Sequence, residues 1–320
     1  KIIELSSVSK GGIMKVFITG GTGFIGRQLV RRMTETKHEI YCLARRTSNT
    51  NELEKLGAKI VVGDVQDKDS LLKGMRGCDW LVNLANLYSF WEPDKSMYRK
   101  INVIGTQNVL ECALEAGLSK VVHISTVAIY GKPSDIPFSE DSTIGPVRFS
   151  EYAQTKYEGD LIAWKLYREK KLPLVMIFPA AVLGSGDISM AGQSIDRLIH
   201  KKMPARVFTK KIITYVHVND VAEAILRAAE KKDNIGEKYI VGNDHLSFDE
   251  FYDLVSEVSG VLKPLLVMPD WLTMINAGIL TVLADVTKLP PLWGLSVDAM
   301  QTFKEGFNAD GSRAQLELGI

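Results

Sequence analysis

The run Lys15-Val16-Phe17-Ile18-Thr19-Gly20-Gly21-Thr22-Gly23-Phe24-Ile25-Gly26 passes from an apolar strand pattern into an amphipathic helix pattern, and it decides the fold class. Glycines at 20, 23 and 26 let the backbone turn tightly, approach a ligand closely and pack helix on strand. The start of the helix presents free N–H groups suited to phosphate. The chain holds 26 glycines, so the spacing alone means little. Its place between a strand and a helix is what selects a pyrophosphate loop over a plain turn. Gly20, Thr22, Gly23, Phe24, Ile25 and Gly26 are therefore candidate dinucleotide contacts.

Outward from this loop, the first 180 residues alternate short apolar runs with amphipathic stretches. Strands are predicted over Lys15–Thr19, Glu39–Leu43, Lys59–Val62, Trp80–Leu84, Lys120–Ile124 and Leu174–Phe178. Helical patterns such as Ile25–Glu35 and Met97–Glu115 lie between them. This alternation predicts an α/β fold, a Rossmann-type doubly wound parallel sheet with its ligand site beyond the carboxyl ends of the strands. After Pro179 the rhythm changes, and Pro204, Pro264, Pro269, Pro290 and Pro291 interrupt it. Ser247 and Glu250 read as a capping box opening a helix over 248–258. The expected organisation is a leader or tail at 1–13, a dinucleotide-binding domain at 14–182 and a smaller C-terminal substrate-binding lid at 183–320. Segments around 212–243 are expected to pack back on the first domain.

Bulk properties narrow the function classes. A net charge of +1 leaves no electrostatic footprint for nucleic acid or an anionic membrane. Cys42, Cys78 and Cys112 are scattered, which argues against a disulfide framework and a metal site and for a reducing, cytoplasmic location. The most apolar late stretch, between Asp270 and Asp285, falls short of the roughly 20 residues that span a bilayer, so no transmembrane segment is expected.

The end of the second predicted strand selects the cofactor. A site for NAD(H) places a carboxylate there to accept the ribose hydroxyls. Leu43-Ala44-Arg45-Arg46-Thr47-Ser48 offers two guanidiniums and two hydroxyls instead. Guanidinium holds a 2′-phosphate bidentately and stacks on adenine, so NADP(H) is preferred, with Arg45 the main contact, Arg46 beside it and NAD(H) possible. Asp64-Val65, after the third strand, is placed to accept from an adenine amino group.

Tyr-x-x-x-Lys occurs twice, at Tyr152/Lys156 and at Tyr167/Lys171. The spacing puts both side chains on one helix face, one turn apart. Tyr152 begins its helix 26 residues after Thr126, in the hydroxyl pair Ser125-Thr126 that ends the fifth strand. Tyr167 sits by the basic run Arg168–Lys171 before Pro173, where a solvated helix end accounts for it. Hydride transfer to a carbonyl develops alkoxide charge that needs a proton, which Tyr152 would supply with Lys156 close by. Thr126 would hold the substrate oxygen, and Lys156 also has the reach to grip ribose hydroxyls.

These residues resemble the extended short-chain dehydrogenase/reductase family over nearly the whole chain. The loop at 19–26 is similar to its TGxxGxxG, His123–Gly131 (HISTVAIYG) to its strand-five motif, and Tyr215–Ala222 (YVHVNDVA) to a late motif bracing the two domains. The resemblance makes Thr126, Tyr152 and Lys156 the catalytic set and Asn102 the asparagine that supports the lysine. It also adds Leu84, Ala85, Asn86 and Pro179 to the dinucleotide contacts. Two departures stand out. The usual HLAA after strand four reads Asn83-Leu84-Ala85-Asn86, and the Arg-Pro of many sugar-nucleotide members reads Phe178-Pro179. The second resembles the dihydroflavonol-4-reductase and 3β-hydroxysteroid-dehydrogenase branch, which also uses an arginine like Arg45 for NADPH. By analogy with relatives, helices 97–116 and 151–170 would form a two-fold interface in a homodimer, the alternative being a monomer.

The substrate is expected to be a small molecule meeting Tyr88, Phe90, Ser125, Tyr130 and Ser150, with Phe149, Met190, Trp271, Met274 and Trp293 as further apolar candidates. Lys201, Lys202, Arg206, Lys210 and Lys211 offer the alternative of a clamp for a nucleoside diphosphate. Three functions follow: an NADPH-dependent carbonyl reductase or the reverse alcohol dehydrogenase, a nucleotide-sugar epimerase or dehydratase, and a non-catalytic dinucleotide sensor. The intact Thr126, Tyr152 and Lys156 set argues against the third, and the aromatic loop with Phe178 favours the first over the second.

Overall fold

The structure, a computed structural model, describes residues 12–320, so most of the predicted leader or tail at 1–13 lies outside it. The strands are β1 (Lys15–Thr19), β2 (Glu39–Ala44), β3 (Lys59–Val62), β4 (Trp80–Asn83), β5 (Lys120–Ile124), β6 (Leu174–Pro179), β7 (Ala181–Leu183), β8 (Ile212–His217), β9 (Lys238–Val241) and β10 (Asp244–Ser247). Seven of them form one parallel sheet in the order β3-β2-β1-β4-β5-β6-β9. The order reverses between β1 and β4. A crevice opens beyond the carboxyl ends of strands at such a switch point, so the glycine loop after β1 stands where a ligand enters. Strands β4, β5 and β6 are buried throughout, as strands covered on both faces must be.

The helices are α1 (Phe24–Met33), α2 (Asn51–Lys55), α3 (Lys68–Met75), α4 (Ser96–Tyr98), α5 (Thr106–Glu115), α6 (Glu151–Lys170), α7 (Met190–Ile199), α8 (Val218–Glu230), α9 (Phe248–Ser259), α10 (Asp270–Thr287), α11 (Val297–Glu305) and α12 (Ser312–Leu318). Helix α1 packs on α8, while α3, α5 and α6 pack side by side. Helix α6 opens at Ser150, whose hydroxyl accepts from the Ala153 N–H, and Glu151 favours its positive N-terminus. Its inward stripe is unusual: Tyr152, Thr155, Lys156 and Asp160 are buried where a core helix would carry aliphatic residues.

The six predicted strands all form, most within a residue of their expected ends. The short run Lys238–Val241 is a seventh strand that periodicity did not single out. Over Met97–Glu115 one continuous helix was expected. The chain instead makes the short α4, a π-helical turn over Arg99–Gly105 and then α5. Wider turns of this kind re-aim side chains at functional sites. Here the turn buries Asn102 beneath the segment after β4.

The second sheet has the order β10-β8-β7; β7, β8, α7 and α11 contribute residues to the wall of the crevice, and α9 and α10 pack against α7 and α11. A separate cluster of Leu198, Ile213, Tyr215, Phe251 and Tyr252 fills the lid, with Tyr215 stacked on Phe251 at 4.9 Å. The Ser247/Glu250 capping box forms as expected, at the start of α9. Among the described residues no helix is long and apolar enough to cross a membrane.

Candidate active site

A cavity of about 530 Å³ runs from the glycine loop past the ends of β4 and β5 to the lid. At one end Gly20, Thr22, Gly23, Phe24, Ile25 and Gly26 line it. The glycines are sterically required. A Cβ on Gly20, whose φ is +70°, would come within 2.7 Å of the Ala85 nitrogen, and one on Gly26 within 2.2 Å of the Gly20 carbonyl oxygen. The loop is thus a close-fitting backbone cradle at a helix N-terminus, which suits a pyrophosphate.

Arg45, Ser48, Asp64 and Val65 line the same end, and Leu84, Ala85, Asn86 and Pro179 line the floor. Arg46 does not reach the wall, because successive residues leaving a strand point to opposite sides. One Asp64 carboxylate oxygen accepts from the Gln66 N–H at 2.9 Å.

At the other end Tyr152, Thr126, Ser125, Tyr88 and Phe90 meet. The Tyr152 ring takes Tyr88 edge-on, with centroids 5.0 Å apart and planes at 88°, and Phe90 stands 6.4 Å away. Burial pushes the Tyr152 phenol well above its ordinary value, reinforced by Tyr88 and opposed by a hydrogen bond with the Thr126 hydroxyl. Lys156 lies behind the wall rather than on it. Its Nζ donates to the Ile124 carbonyl at 2.8 Å, and burial pulls it below its ordinary value while Asp160 pulls the other way.

Several expected contacts lie elsewhere. Tyr130 is in the core, stacked on Phe138 at 4.8 Å with its hydroxyl donating to the Glu140 carbonyl, so it does not face the cavity. Ser150 is occupied as the α6 cap. Ser125 lines the cavity but turns its hydroxyl to Asp160. Asn102 grips the Leu87 backbone at both N–H and carbonyl and donates to Thr155, holding the Tyr88 loop rather than Lys156. Trp271 and Trp293 are exposed on the outer face of the lid, and Met190 and Met274 pack beside Phe208 and Met300.

The lid supplies residues that periodicity did not single out: Asp187, Thr302, Phe303 and Phe307. One Asp187 carboxylate oxygen and the Thr302 hydroxyl have no hydrogen-bond partner.

Residues 16–242, from β1 through β9, match the model of the NAD dependent epimerase/dehydratase family. The chain belongs to this family. It is an enzyme of the extended short-chain dehydrogenase/reductase type, in a family that depends on a nicotinamide dinucleotide. Helices α9 to α12 of the lid fall beyond the matched span. A Synechocystis protein bearing the name "Putative dihydroflavonol 4-reductase" is 32% identical over 95% of this chain and 89% of its own length. The crystal structure of gox2253 superposes with a TM-score of 0.80 at 32% identity, covering 95% of this chain and 92% of that one. A UDP-glucose 4-epimerase of Thermotoga maritima, crystallised with UDP-glucose, shares the fold at 21% identity with a TM-score of 0.75 over 96% and 93% of the two chains.

The departure of this family member after β4 has a structural counterpart. Asn83, which stands at the first position of the HLAA-like run, bridges Thr19 on β1 and His123 on β5. Asp160 behind it was missed. The signal was present, since a carboxylate eight residues after Tyr152 and four after Lys156 falls on the same inward stripe.

Proposed function

We propose that the protein is an NADPH-dependent reductase of an uncharged, largely apolar ketone or aldehyde, or the matching alcohol dehydrogenase in reverse, with Tyr152 as proton donor. One observation carries this choice over a nucleotide-sugar reaction: among the described residues Arg45 is the sole Lys or Arg on the cavity wall, and it stands at the glycine-loop end. The substrate end is walled by Tyr88, Phe90, Met97, Ile101 and Phe303, and its one charge is the carboxylate of Asp187. A nucleoside diphosphate there would face an anion with no cation to offset it. Lys201, Lys202, Arg206, Lys210 and Lys211 do not line the cavity, and Arg206 is paired with Asp249. The name of the Synechocystis relative agrees with a carbonyl substrate, while the epimerase shares only the fold.

The glycine loop, Asp64 and Val65 would hold the dinucleotide, which supplies the hydride when bound. Thr126, whose hydroxyl also accepts from the Ala128 N–H, and Tyr152 both line the substrate end, and their hydroxyls would fix the carbonyl oxygen between them. Burial keeps the Tyr152 phenol protonated, the form a donor needs. An alkoxide is a stronger base than a phenolate, so the proton would pass from the phenol to the nascent alkoxide, giving the alcohol and leaving a phenolate. Lys156, one turn along α6, stabilises the phenolate left behind.

Arg45 and Ser48 are assigned to the 2′-phosphate. Arg45→Ala is expected to raise KM for NADPH about tenfold or more and to leave KM for NADH nearly unchanged, because a charge-assisted contact contributes roughly 1.5–3 kcal/mol. Equal kcat/KM with the two dinucleotides in the wild type would overturn the NADPH preference. The substrate reading is tested by following NADPH oxidation with aryl ketones and aldehydes, and by calorimetric titration with UDP-glucose. Turnover of carbonyls without nucleotide-sugar binding is expected, and tight UDP-glucose binding would favour the epimerase or dehydratase alternative.

A further inference from the structure

A buried chain of hydrogen bonds crosses the sheet beneath the cavity. The Ala85 N–H donates to the Thr19 hydroxyl at 3.1 Å, and that hydroxyl donates to Asn83 Oδ1 at 2.6 Å. Asn83 Nδ2 then faces His123 Nδ1 at 3.0 Å, and His123 Nε2 meets Asp160 Oδ1 at 3.2 Å. The other Asp160 oxygen accepts from Ser125. Thr19, Asn83, His123 and Asp160 are all at least 98% buried. With Asn83 Oδ1 taken by Thr19, its amide must donate, so His123 Nδ1 accepts and the ring proton sits on Nε2, pointing at the carboxylate.

The chain ends where the catalytic elements join. Asp160 reaches from α6 to Ser125, next to Thr126, and Lys156 of the same helix holds the Ile124 carbonyl one residue earlier. The end of β5 is thus fastened to α6 at two consecutive residues, Ile124 and Ser125, immediately before the Thr126 that must align with Tyr152. We propose that Asp160 is a positioning residue of the active site, whose carboxylate terminates this chain and clamps Ser125, buried one helical turn from Lys156. The proposal rests on Tyr152 being the proton donor and goes beyond it.

A carboxylate remote from the proton-handling pair would leave the pH dependence of turnover unchanged. The groups that face Lys156 and Tyr152 are Asp160 on α6, His123 on β5 and Tyr88 after β4. Burial holds His123 below its ordinary value, and with its Nδ1 accepting from Asn83 the ring faces the Asp160 carboxylate through Nε2. The Asp160 carboxylate acts to raise both Lys156 and Tyr152, so its removal is expected to lower both. Carbonyl reduction needs both protonated, so the alkaline limb of kcat/KM shifts to lower pH.

The test uses NADPH with 1-phenyl-1,2-propanedione as probe ketone. Asp160→Asn is expected to lower kcat by on the order of tenfold to a hundredfold through misplacement of Thr126. It is also expected to move the alkaline limb down by about one pH unit. Asp160→Glu, which keeps the charge, should lose turnover with the limb in place. An unmoved limb in Asp160→Asn overturns the proposal. If Asp160→Asn does not fold, Ser125→Ala and Ser125→Thr decide. The first should lose on the order of tenfold in kcat and the second should keep most of it, because only the second preserves the hydroxyl. Full turnover in Ser125→Ala overturns the clamp. A substrate-free measurement stands beside these: 15N NMR of the His123 ring, assigned with His123→Gln, should show an Nε2-protonated neutral ring from pH 5 to 8. A ring that titrates in that window, or carries its proton on Nδ1, also overturns the proposal. Activity surviving in Tyr152→Phe would instead be a failure of the proton-donor reading, and the two outcomes are recorded separately.

Discussion

Tyr152→Phe is expected to lower kcat/KM for NADPH-dependent carbonyl reduction by roughly 10²–10⁴, the usual contribution of a positioned general acid. The ring would remain, and with it the edge-on contact to Tyr88 at 5.0 Å and the packing of Phe90. Only the hydroxyl, on the cavity side near Thr126, disappears, so stability should change by no more than about 1 kcal/mol. The two effects separate cleanly in a variant that folds, binds NADPH as the wild type does and fails to turn over. Tyr167→Phe is the internal control. It alters the second Tyr-x-x-x-Lys, whose Lys171 ends α6 in a left-handed conformation with φ of 60°. Turnover in Tyr167→Phe should match the wild type. Steady-state NADPH oxidation and a urea melt of each variant are sufficient, and a Tyr152→Phe enzyme with wild-type kcat/KM would remove Tyr152 from the reaction.

Gly26→Ala is the second large effect. The added methyl would lie 2.2 Å from the Gly20 carbonyl oxygen and 2.7 Å from the Gly21 Cα, both backbone atoms at the tightest point of the loop. Neither can rotate away, so α1 must shift from β1 and the cradle must open. Overpacking of this kind costs about 1–3 kcal/mol, occasionally more, and here the displaced atoms are those that would meet the pyrophosphate. NADPH affinity is expected to fall by about 100-fold or beyond measurement, read by nucleotide fluorescence, with a lower urea midpoint. Gly278→Ala, in the middle of α10, meets nothing within 4 Å and should be neutral or stabilising by up to about 1 kcal/mol. Equal NADPH affinity in Gly26→Ala and the wild type would show that the loop does not bind the dinucleotide through close backbone approach.

Much of the fold was legible because its signals are local. Apolar runs such as Val16–Ile18 and Val121–Val122 are buried from both faces, and the glycine loop sits between one such run and a helix. Residues lining the cavity near that loop were legible for the same reason, since Gly20 to Gly26 follow directly from the end of β1. The π-helical turn at Arg99–Gly105 was not legible. Its residues have an ordinary amphipathic pattern, and the widening follows from how the turn meets its neighbours. A Cβ on Gly105 would touch Val65, and Asn102 reaches the Leu87 backbone.

The candidate site divides along the same line. The sequence alone determined the sheet alternation, the glycine loop and the register of Tyr152 and Lys156 on one helix face, because each depends on neighbours within a turn or two. Tertiary structure decided which side chains meet across the sheet. It turned Tyr130 into the core, committed Ser150 to a helix cap, left Arg46 off the wall and brought Asp187 and Thr302 in from the lid. It also joined Thr19 to Asn83 across 64 residues, Asn83 to His123 across 40 and His123 to Asp160 across 37. No periodicity encodes such pairs. They arise when parallel strands set distant residues side by side, and burial then requires each polar atom to find a partner.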